Sequence, residues 1–511
     1  MRSSSLGGLN QRELEVDVLV LGGGGTGLAA AIAAADQRAT VLVAEKTARV
    51  GGTTALSIGS ITACCTSYQR AQRITDSPEA FCEDLAKFNK DLDIYENQEL
   101  RWVLAQESGN TLEWLRALGF EFFGPSPEPP HRVPRMHNVI PNSWCYPLLL
   151  QRAALTKGVR FLLSTSARRL LQERGRVIGA LVEDSERHSE TKVHARRAVV
   201  LACGDFSGSK TLKERYLSSA LASVSPYNPN SQGEGHIMGA EVGGRLVNMD
   251  VLRKPSVRFV AAPRKLWHEL LPSHPALIKI YAKACDWAPP SLFRKLASRL
   301  LTTRGAPAMG IYREGAILVN DRGMRFTNEI EEAGLAISQQ PDGHAYIVFD
   351  GRIAEKFSSG PNYISTAPGI AYAYIQDYER DAPDIVSKGN NLEGAARNHP
   401  AAASLVKAVA DYNRFVKNGR DEDYGRSPLG AGIQKPPFYV MGPAEAYLSV
   451  TKGGLDINTR FQVLNASGNP IPGLYAGGGN AGALLLMSHG LGISWALTSG
   501  RLAGTEAANS I

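Results

Sequence analysis

The sequence predicts an α/β fold in which one domain is built from both ends of the chain and an α+β domain is inserted between them. The first observation behind this prediction is a strand, a glycine-rich turn and a helix at residues 16–35. The second is another strand, glycine turn and helix at residues 473–507. Glycine accounts for 51 of the 511 residues and clusters at such turns, as expected where backbone approaches a ligand closely.

The N-terminal unit has the pattern of a dinucleotide-binding βαβ motif. Residues 16–21 are a short apolar, β-branched run typical of a buried strand. Gly22, Gly24 and Gly27 follow with G-x-G-x-x-G spacing, and residues 28–35 form an alanine-rich helix pattern. In this motif the first glycine makes the tight turn, the second lets the backbone approach a pyrophosphate, and the third lets the helix pack on the strand.

A second predicted strand, residues 40–44, ends at Glu45, which stands 23 residues after Gly22. An acidic residue at about this spacing binds the ribose hydroxyls of a dinucleotide. Residues 176–182 and 198–202 have strand patterns that extend the same sheet. Together these elements predict a Rossmann-like domain.

Two further features favour FAD over NAD as the dinucleotide. Gly51 and Gly52 precede two threonines, and the hydroxyl-bearing stretch at residues 57–62 follows them. Such a loop suits a pyrophosphate, a ribityl chain and a flavin edge. The second glycine turn, at residues 473–494, then offers a binding element for the other end of a long cofactor.

Taken in order, the motifs resemble those of the superfamily of FAD-binding fumarate reductases and 3-ketosteroid dehydrogenases. The matching segments span nearly the whole chain. They are residues 22–27, 51–61, 199–204, 233–243, 323–329, 419–426, 451–455, 470–476 and 500–504.

The resemblance implies which residues contact FAD. They are Gly22, Gly24, Thr26, Gly27, Glu45, Lys46, Gly51, Gly52, Thr53, Thr54, Ala55, Gly59, Ser60, Ala167, Ala202, Cys203, Gly204, Gly478, Leu491 and Ile493. Relatives with covalent flavin carry a histidine upstream of the glycine pair. This chain has Val50 there, so the resemblance implies non-covalent FAD.

Cofactor motifs at both ends predict a discontinuous FAD-binding domain, formed by residues 1–245 and 435–511. Residues 246–434 are then an inserted cap that contributes to substrate binding. The cap contains a strand pattern at residues 346–350 and apolar residues at helical spacing over residues 404–416.

The resemblance also implies the type of reaction. Enzymes of this superfamily exchange a hydride between the flavin and a carbon, while a side chain moves the proton on the neighbouring carbon. Four residues after the glutamate of the Asn-Glu motif, fumarate reductases have an arginine, and ketosteroid dehydrogenases have a tyrosine at about the same place. Here that place is taken by Ala333.

His489 is therefore our first candidate for proton transfer. It stands in the last glycine turn, where fumarate reductases have an arginine and ketosteroid dehydrogenases a tyrosine. Histidine titrates near neutrality and suits this role, and a histidine that only fixes the loop fits the sequence equally well. Arg135 and His137 in a proline-rich loop are the next candidates for catalytic, substrate-facing groups, with solvation as the alternative. Tyr439 is a further candidate to line the flavin, with packing as the alternative.

Three functions remain open from the sequence. The missing arginine and the apolar residues 484–487 favour a steroid-like or cyclic apolar ketone, with reaction at a CH–CH bond next to the carbonyl. A reductase or dehydrogenase of a small carboxylate that uses Arg135 is the alternative. A flavin-binding module without catalysis is the third. The electron acceptor is not indicated.

The composition argues against several other classes. Six scattered cysteines give no disulfide framework and no zinc spacing, so we expect no metal site and a cytoplasmic location. No apolar run reaches 18 residues, so we expect no membrane span.

The net charge of +7 is concentrated in one segment, since residues 253–304 contain eleven basic and two acidic residues. No nucleic-acid-binding motif accompanies this charge, and we expect no nucleic-acid partner. Apolar residues at helical spacing among lysines, arginines and tryptophan are typical of interfacial helices. Residues 264–304 therefore predict a peripheral membrane contact, with burial inside the cap as the alternative.

Overall fold

The computed structural model describes residues 12–252, 254–260, 276–280, 283, 302, 307–331, 333–367 and 371–510. In chain order the strands are β1 Arg12–Leu21, β2 Val41–Ala44, β3 Ser60–Thr62, β4 Glu121–Ser126, β5 Met136–Ile140, β6 Arg160–Leu162, β7 Thr165–Glu173, β8 Arg176–Asp184, β9 Ser189–Leu201, β10 Ser225–Pro226, β11 Leu246–Val247, β12 Ser256–Phe259, β13 Ile317–Val319, β14 His344–Phe349, β15 Ser365–Ala367, β16 Ala371–Ala373, β17 Val386–Gly389, β18 Phe438–Leu448, β19 Gly454–Leu455, β20 Gln462–Leu464 and β21 Pro470–Ala476.

The helices are distributed along the whole described chain. They are Gly25–Asp36, Gly52–Leu56, Ser67–Ala71, Pro78–Asn89, Gln98–Ala117, Cys145–Thr156, Lys210–Tyr216, Ser219–Ala222, Glu234–Glu241, Gly310–Arg313, Ala333–Ser338, Gly351–Lys356, Ile375–Asp381, Leu392–Ala396, Ala402–Asn418 and Leu491–Ala508, with short 3₁₀ helices at Lys90–Tyr95 and Gly478–Asn480.

The first sheet has a parallel centre. Its strands lie in the order β20-β21-β9-β1-β2-β6, and β8 and β7 continue from β9 as antiparallel neighbours. The pairs β21–β9, β9–β1, β1–β2 and β2–β6 are parallel. Because β21 pairs directly with β9, the C-terminal segment completes the sheet that the N-terminal segment begins. The predicted α/β fold built from both chain ends is confirmed.

Burial explains why the central strands are apolar. Residues 18–21 of β1 have no solvent exposure, as expected for a parallel strand covered by helices. The helices Gly25–Asp36 and Leu491–Ala508 pack against each other and contact β1 and β9. The first and last helices of the motif pattern are therefore held together at one side of the sheet.

The strands predicted at residues 16–21, 40–44, 176–182, 198–202 and 346–350 correspond to β1, β2, β8, β9 and β14. The predicted helix at residues 404–416 is Ala402–Asn418. β1 and β9 begin earlier than the apolar pattern indicated, at residues 12 and 189, because their polar first halves pair with each other in parallel register. Apolar periodicity does not detect such exposed ladder segments.

The strands of the second sheet come, in sequence, between the N-terminal and the C-terminal strands of the first sheet. Its long strand β18 pairs with β10, β12, β14 and β17, and β13 lies beside β14. The helix Ala402–Asn418 buries Leu405, Val409 and Tyr412 in a cluster with Val319 and Val348. This arrangement is the α+β unit that the sequence predicted as the cap.

The place where the chain returns to the first sheet differs from the expected residue 435. β18, Phe438–Leu448, belongs wholly to the second sheet. The divisions at residues 245 and 434 stay predictions, and we propose that the second one falls after residue 448.

None of the described helices has the length and apolar composition needed to cross a membrane. The basic segment 264–304 lies almost entirely outside the described residues. Of its few described residues, Ile278 is buried in the main core, and Leu277 and Ile280 are exposed.

Candidate functional site

A cavity of about 1170 Å³ opens at the carboxyl ends of the parallel strands. It is lined by the residues that follow β1, β2 and β9, and by Gly478 and Gly479 after β21. Ligands of doubly wound sheets bind at this edge. The helix Leu491–Ala508 and the loop before it close another side.

Most of the predicted cofactor residues meet in this cavity. Those that line it are Gly22, Gly24, Thr26, Glu45, Lys46, Gly52, Thr53, Thr54, Ala55, Gly59, Ser60, Ala167, Ala202, Cys203, Gly204, Gly478 and Ile493. Residues from positions 22 to 493 are thus brought to one surface, as a cofactor with two distant ends requires.

Three of the predicted residues do not line the cavity. A side chain at Gly27 would place its Cβ 1.8 Å from the carbonyl oxygen of Gly22, so this glycine allows the helix to pack on the turn. Gly51 precedes the helix Gly52–Leu56. Leu491 is 3% exposed and belongs to the main core. All three support the cavity wall from behind.

Open space beside Gly24 supports a fit to a dinucleotide. A Cβ built on Gly24 has no neighbour within 4 Å, and Gly24 lines the cavity directly before the helix Gly25–Asp36. Gly24 at the N-cap has no side chain, and Thr54 Oγ1 accepts a hydrogen bond from the first helical N–H, that of Gly25, at 3.3 Å. The N–H groups that follow and the positive end of the helix dipole are available to phosphate oxygens.

Three residues of the cavity lining, Glu234, Asn138 and Trp495, each have a buried polar atom without a hydrogen-bond partner. Glu234 binds Lys46 Nζ through Oε1 at 2.5 Å, while its Oε2 is buried and unpaired. Asn138 accepts a hydrogen bond from Ser60 at 2.6 Å, while its Nδ2 is buried and unpaired. Unsatisfied buried polar atoms are costly. These polar groups lie in the residues that line the cavity, where a polar cofactor is expected.

Glu45 stands at the end of β2, as expected for the ribose-binding acid. Its carboxylate accepts hydrogen bonds from the Gly23 N–H at 2.7 Å and from the N–H and hydroxyl of Thr47 at 2.9 and 2.8 Å. These bonds fix the carboxylate at the cavity wall, and a carboxylate has further acceptor positions for hydroxyl donors.

His489 lines the cavity, and its side chain is 42% exposed. Its Nδ1 lies 2.8 Å from Glu128 Oε1, and its backbone N–H donates to the same oxygen at 2.8 Å. The hydroxyl of Thr62 donates to its carbonyl oxygen. His489 is thus fixed at three points, and Nε2 has no hydrogen-bond partner among the described residues.

The prediction that Arg135 faces substrate was wrong for this structure. Arg135 has no exposure; it forms a two-bond contact with Asp76 and donates to Asp84 at 2.6 Å. Its charge is neutralised inside the protein, behind the cavity wall. Burial lowers the pKa of Arg135, but the hydrogen bonds to Asp76 and Asp84 raise it by more, so the pKa lies above its usual value.

His137 and Tyr439 also do not line the cavity. His137 is buried beside Tyr68, with Nε2 3.1 Å from Thr66 Oγ1. Tyr439 lies in β18 and stacks on Phe349 at 5.1 Å in the second sheet. Both side chains pack in protein interiors, so we correct their predicted roles as substrate-facing or flavin-lining groups.

Beyond the glycine turns, much of the cavity wall is apolar or aromatic. These residues are Ile58, Phe123, Val139, Ile140, Trp144, Tyr227, Tyr363, Tyr447, Leu484 and Leu486.

The cations of the described lining already have contacts in the protein. Lys46 pairs with Glu234, Lys452 donates to the carbonyl oxygen of Leu486 at 3.1 Å, and Arg49 lies over the ring of Trp144 at 5.6 Å.

Glu128 and Asn138 are site residues that the sequence did not indicate. Glu128 precedes two prolines directly before the predicted Arg/His loop, but its partner is 361 residues away. Asn138 follows His137 in β5, and successive side chains of a strand point to opposite faces. The sequence indicated the strand's neighbourhood but not which residue faces the cavity.

Comparisons with known proteins agree with this site. A family model described as FAD binding domain matches residues 17–253 and 278–493. The chain is 28% identical over 503 residues to fumarate reductase (cytochrome) of Shewanella frigidimarina, covering 96% of this chain and 77% of the relative.

Two solved structures share the fold. The open conformation of a flavocytochrome c3 fumarate reductase has a TM-score of 0.74 at 24% identity, covering 98% of this chain and 79% of that one. 3-Ketosteroid delta1-dehydrogenase from Sterolibacterium denitrificans, in complex with 1,4-androstadiene-3,17-dione, has a TM-score of 0.66 at 20% identity, covering 97% and 99%.

Proposed function

The chain belongs to the FAD binding domain family and its cofactor is FAD; from this premise we propose that it is an oxidoreductase acting on a CH–CH bond next to a carbonyl. We propose an apolar cyclic ketone, such as a 3-ketosteroid, as the substrate. The single observation that carries the proposal is a half-exposed His489 with an unpaired Nε2 in a cavity whose wall is largely apolar and aromatic.

FAD supplies hydride exchange with one carbon of the substrate when it is bound. The residues of this chain do the rest. The helix start at Gly24 and the carboxylate of Glu45 hold the nucleotide end. His489 Nε2 accepts the proton from the neighbouring carbon during dehydrogenation, or returns it during reduction, as a general base or acid.

The apolar wall supports an uncharged substrate. Burying apolar rings against such a wall contributes about 25 cal/mol per Å². A dicarboxylate instead needs cations that are not already engaged, since a desolvated charge without a partner is costly. The three cations of the described lining are each engaged with a carboxylate, a carbonyl oxygen or a ring.

A small carboxylate is the second candidate. It is favoured by the similarity to a fumarate reductase and by Lys452 and Arg49 in the lining. The version of this alternative that relied on Arg135 is not retained, because Arg135 is buried between two aspartates.

Anaerobic flavin spectra test the proposal in both directions. Oxidised protein is mixed with a saturated 3-ketosteroid or with succinate, and chemically reduced protein with 1,4-androstadiene-3,17-dione or with fumarate. We expect the visible flavin band to fade with the saturated ketosteroid and to return with the dienone. A response to succinate and fumarate alone would select the second candidate, and no response to any of the four compounds would overturn the proposal.

We also propose a peripheral membrane contact through residues 264–304, on the basis of their basic and apolar sequence pattern alone. Each basic residue near an anionic surface contributes on the order of 1 kcal/mol. Vesicles rich in anionic lipid should therefore sediment the protein at low salt and release it at high salt. Protein that stays in the supernatant at low salt would refute the contact.

A further inference from the structure

A chain of buried polar groups leads from His489 into the protein. Glu128 contacts His489 and accepts a hydrogen bond from the Ser488 hydroxyl at 3.0 Å. Ser488 Oγ lies 3.3 Å from His131 Nε2, and His131 Nδ1 lies 3.0 Å from Arg135 NH1. Glu128, Ser488 and His131 are each less than a tenth exposed.

The direction of these hydrogen bonds follows from the donor inventory. Arginine only donates, so His131 Nδ1 must accept from Arg135. Burial, and then the charge of Arg135, lower the pKa of His131 to about 4, and the ring is neutral near pH 7. Its proton therefore sits on Nε2 and is donated to Ser488.

Ser488 has one proton and accepts from His131, so it donates that proton onward. Its two acceptors are Glu128 Oε2 at 3.0 Å and the carbonyl oxygen of His489 at 3.2 Å. The carboxylate is both nearer and charged, which makes it the stronger acceptor. Burial raises the pKa of Glu128, but the hydrogen bonds from His489 and Ser488 outweigh it and hold that pKa below its usual value.

An ionised Glu128 can only accept, so the ring of His489 must carry its proton on Nδ1. We propose that Glu128 is a positioning residue that fixes the Nδ1–H tautomer of His489 and thereby presents the Nε2 lone pair to the cavity. This inference rests on the proposed function for its catalytic meaning. When Nε2 takes a proton from substrate carbon, the imidazolium that forms is stabilised by the carboxylate 2.8 Å away.

The surroundings of His489 contain few other charges. Thr62 of β3 contacts its carbonyl oxygen. Lys452, from the segment between β18 and β19, contacts Leu486 in the same loop. His131 contacts Ser488, the residue before His489, and does not contact the His489 ring in the described residues. Among the described residues, Glu128 is the charged group that touches the ring itself.

The test measures His489 directly in the FAD-loaded protein without substrate. Diethyl pyrocarbonate acylates an unprotonated imidazole nitrogen, and peptide mass spectrometry gives the rate at His489 as a function of pH. In Glu128→Gln, which keeps the shape and removes the charge, the pH of half-maximal rate should fall by about one pH unit relative to the wild type. Ser488→Ala leaves the charge and should cause a smaller fall.

A matched control is Glu113→Gln. Glu113 also accepts a backbone N–H, from Ser67 at 2.9 Å, but it pairs with Arg116 away from the cavity. This variant should keep the wild-type profile. An unchanged His489 profile in both Glu128→Gln and Ser488→Ala would overturn the inference.

Activity measurements distinguish a failure of this inference from a failure of the proposed function. With a 3-ketosteroid as substrate, the acid limb of the kcat profile should shift in Glu128→Gln as the modification profile does, with unchanged FAD content. A shifted modification profile in a protein that reacts with none of the four test compounds supports the positioning role and refutes the proposed substrate reaction.

Discussion

Arg135 NH1 lies 3.0 Å from Nδ1 of His131 and donates a hydrogen bond to it. This contact places the proton of the neutral His131 ring on Nε2. The guanidinium is held by Asp76 and Asp84 and cannot turn towards a substrate. A residue type typical of substrate binding therefore acts here on the hydrogen-bond network behind the cavity. Hydrogen bonds connect it to the cavity through His131, Ser488 and Glu128.

Acid precipitation should release all of the flavin. The purified protein is expected to be yellow, because the lining contains the glycine turns and Glu45 that suit FAD. Val50, rather than a histidine, precedes Gly51. We expect a colourless pellet and FAD in the supernatant, identified by chromatography. Colour that stays with the denatured pellet would show a covalent link.

Glu45→Ala should weaken FAD binding by about 1–3 kcal/mol, because the ribose hydroxyls lose a charged acceptor. Fluorescence titration of the apoprotein with FAD gives the Kd. Because Glu45 also accepts from Gly23, Glu45→Gln should have a smaller effect. Glu15→Ala removes an exposed carboxylate of β1 and serves as the control. An unchanged Kd in Glu45→Ala would contradict the placement of the ribose at the end of β2.

His489→Ala should lower turnover by ~10²–10⁴ with normal FAD content, since it removes the group that moves the proton. The ratio of flavin to protein absorbance reports FAD content. The matched control is His188→Ala, at an exposed turn between β8 and β9 where its side chain is 81% exposed. Wild-type turnover in His489→Ala would show that His489 only fixes the loop and does not move the proton.

Local patterns identified the parts of the site that depend on backbone shape. Gly24 and Glu45 were predicted because a strand, a turn and a helix next to each other in sequence set their positions. The choice between His137 and Asn138 depends on which face of β5 meets the cavity, and the pairing of β5 with β3 and β4 decides that. Glu128 and His489 meet only because distant segments fold together, and no local spacing records such a contact.

Acid should destabilise the protein through its buried histidines before most carboxylates titrate. Burial lowers the pKa of His137 to about 4, and burial with Arg135 does the same for His131. The unfolded chain, in which histidine titrates near 6.5, binds these protons at higher pH than the folded protein does. The free energy of unfolding therefore falls as pH drops from about 6.5 towards 4.

The expected loss is on the order of 2–3 kcal/mol for each ring by pH 4. Urea unfolding at pH 7 and pH 5 measures the part of the loss that falls in this interval. His137→Gln should flatten part of the pH dependence, because Gln does not titrate, while His131, His236 and His399, whose pKa burial also lowers, still do. His194→Gln, at a half-buried histidine of β9, is the matched control substitution. Equal slopes for the wild type and His137→Gln would mean that His137 is not the buried neutral ring that the structure gives.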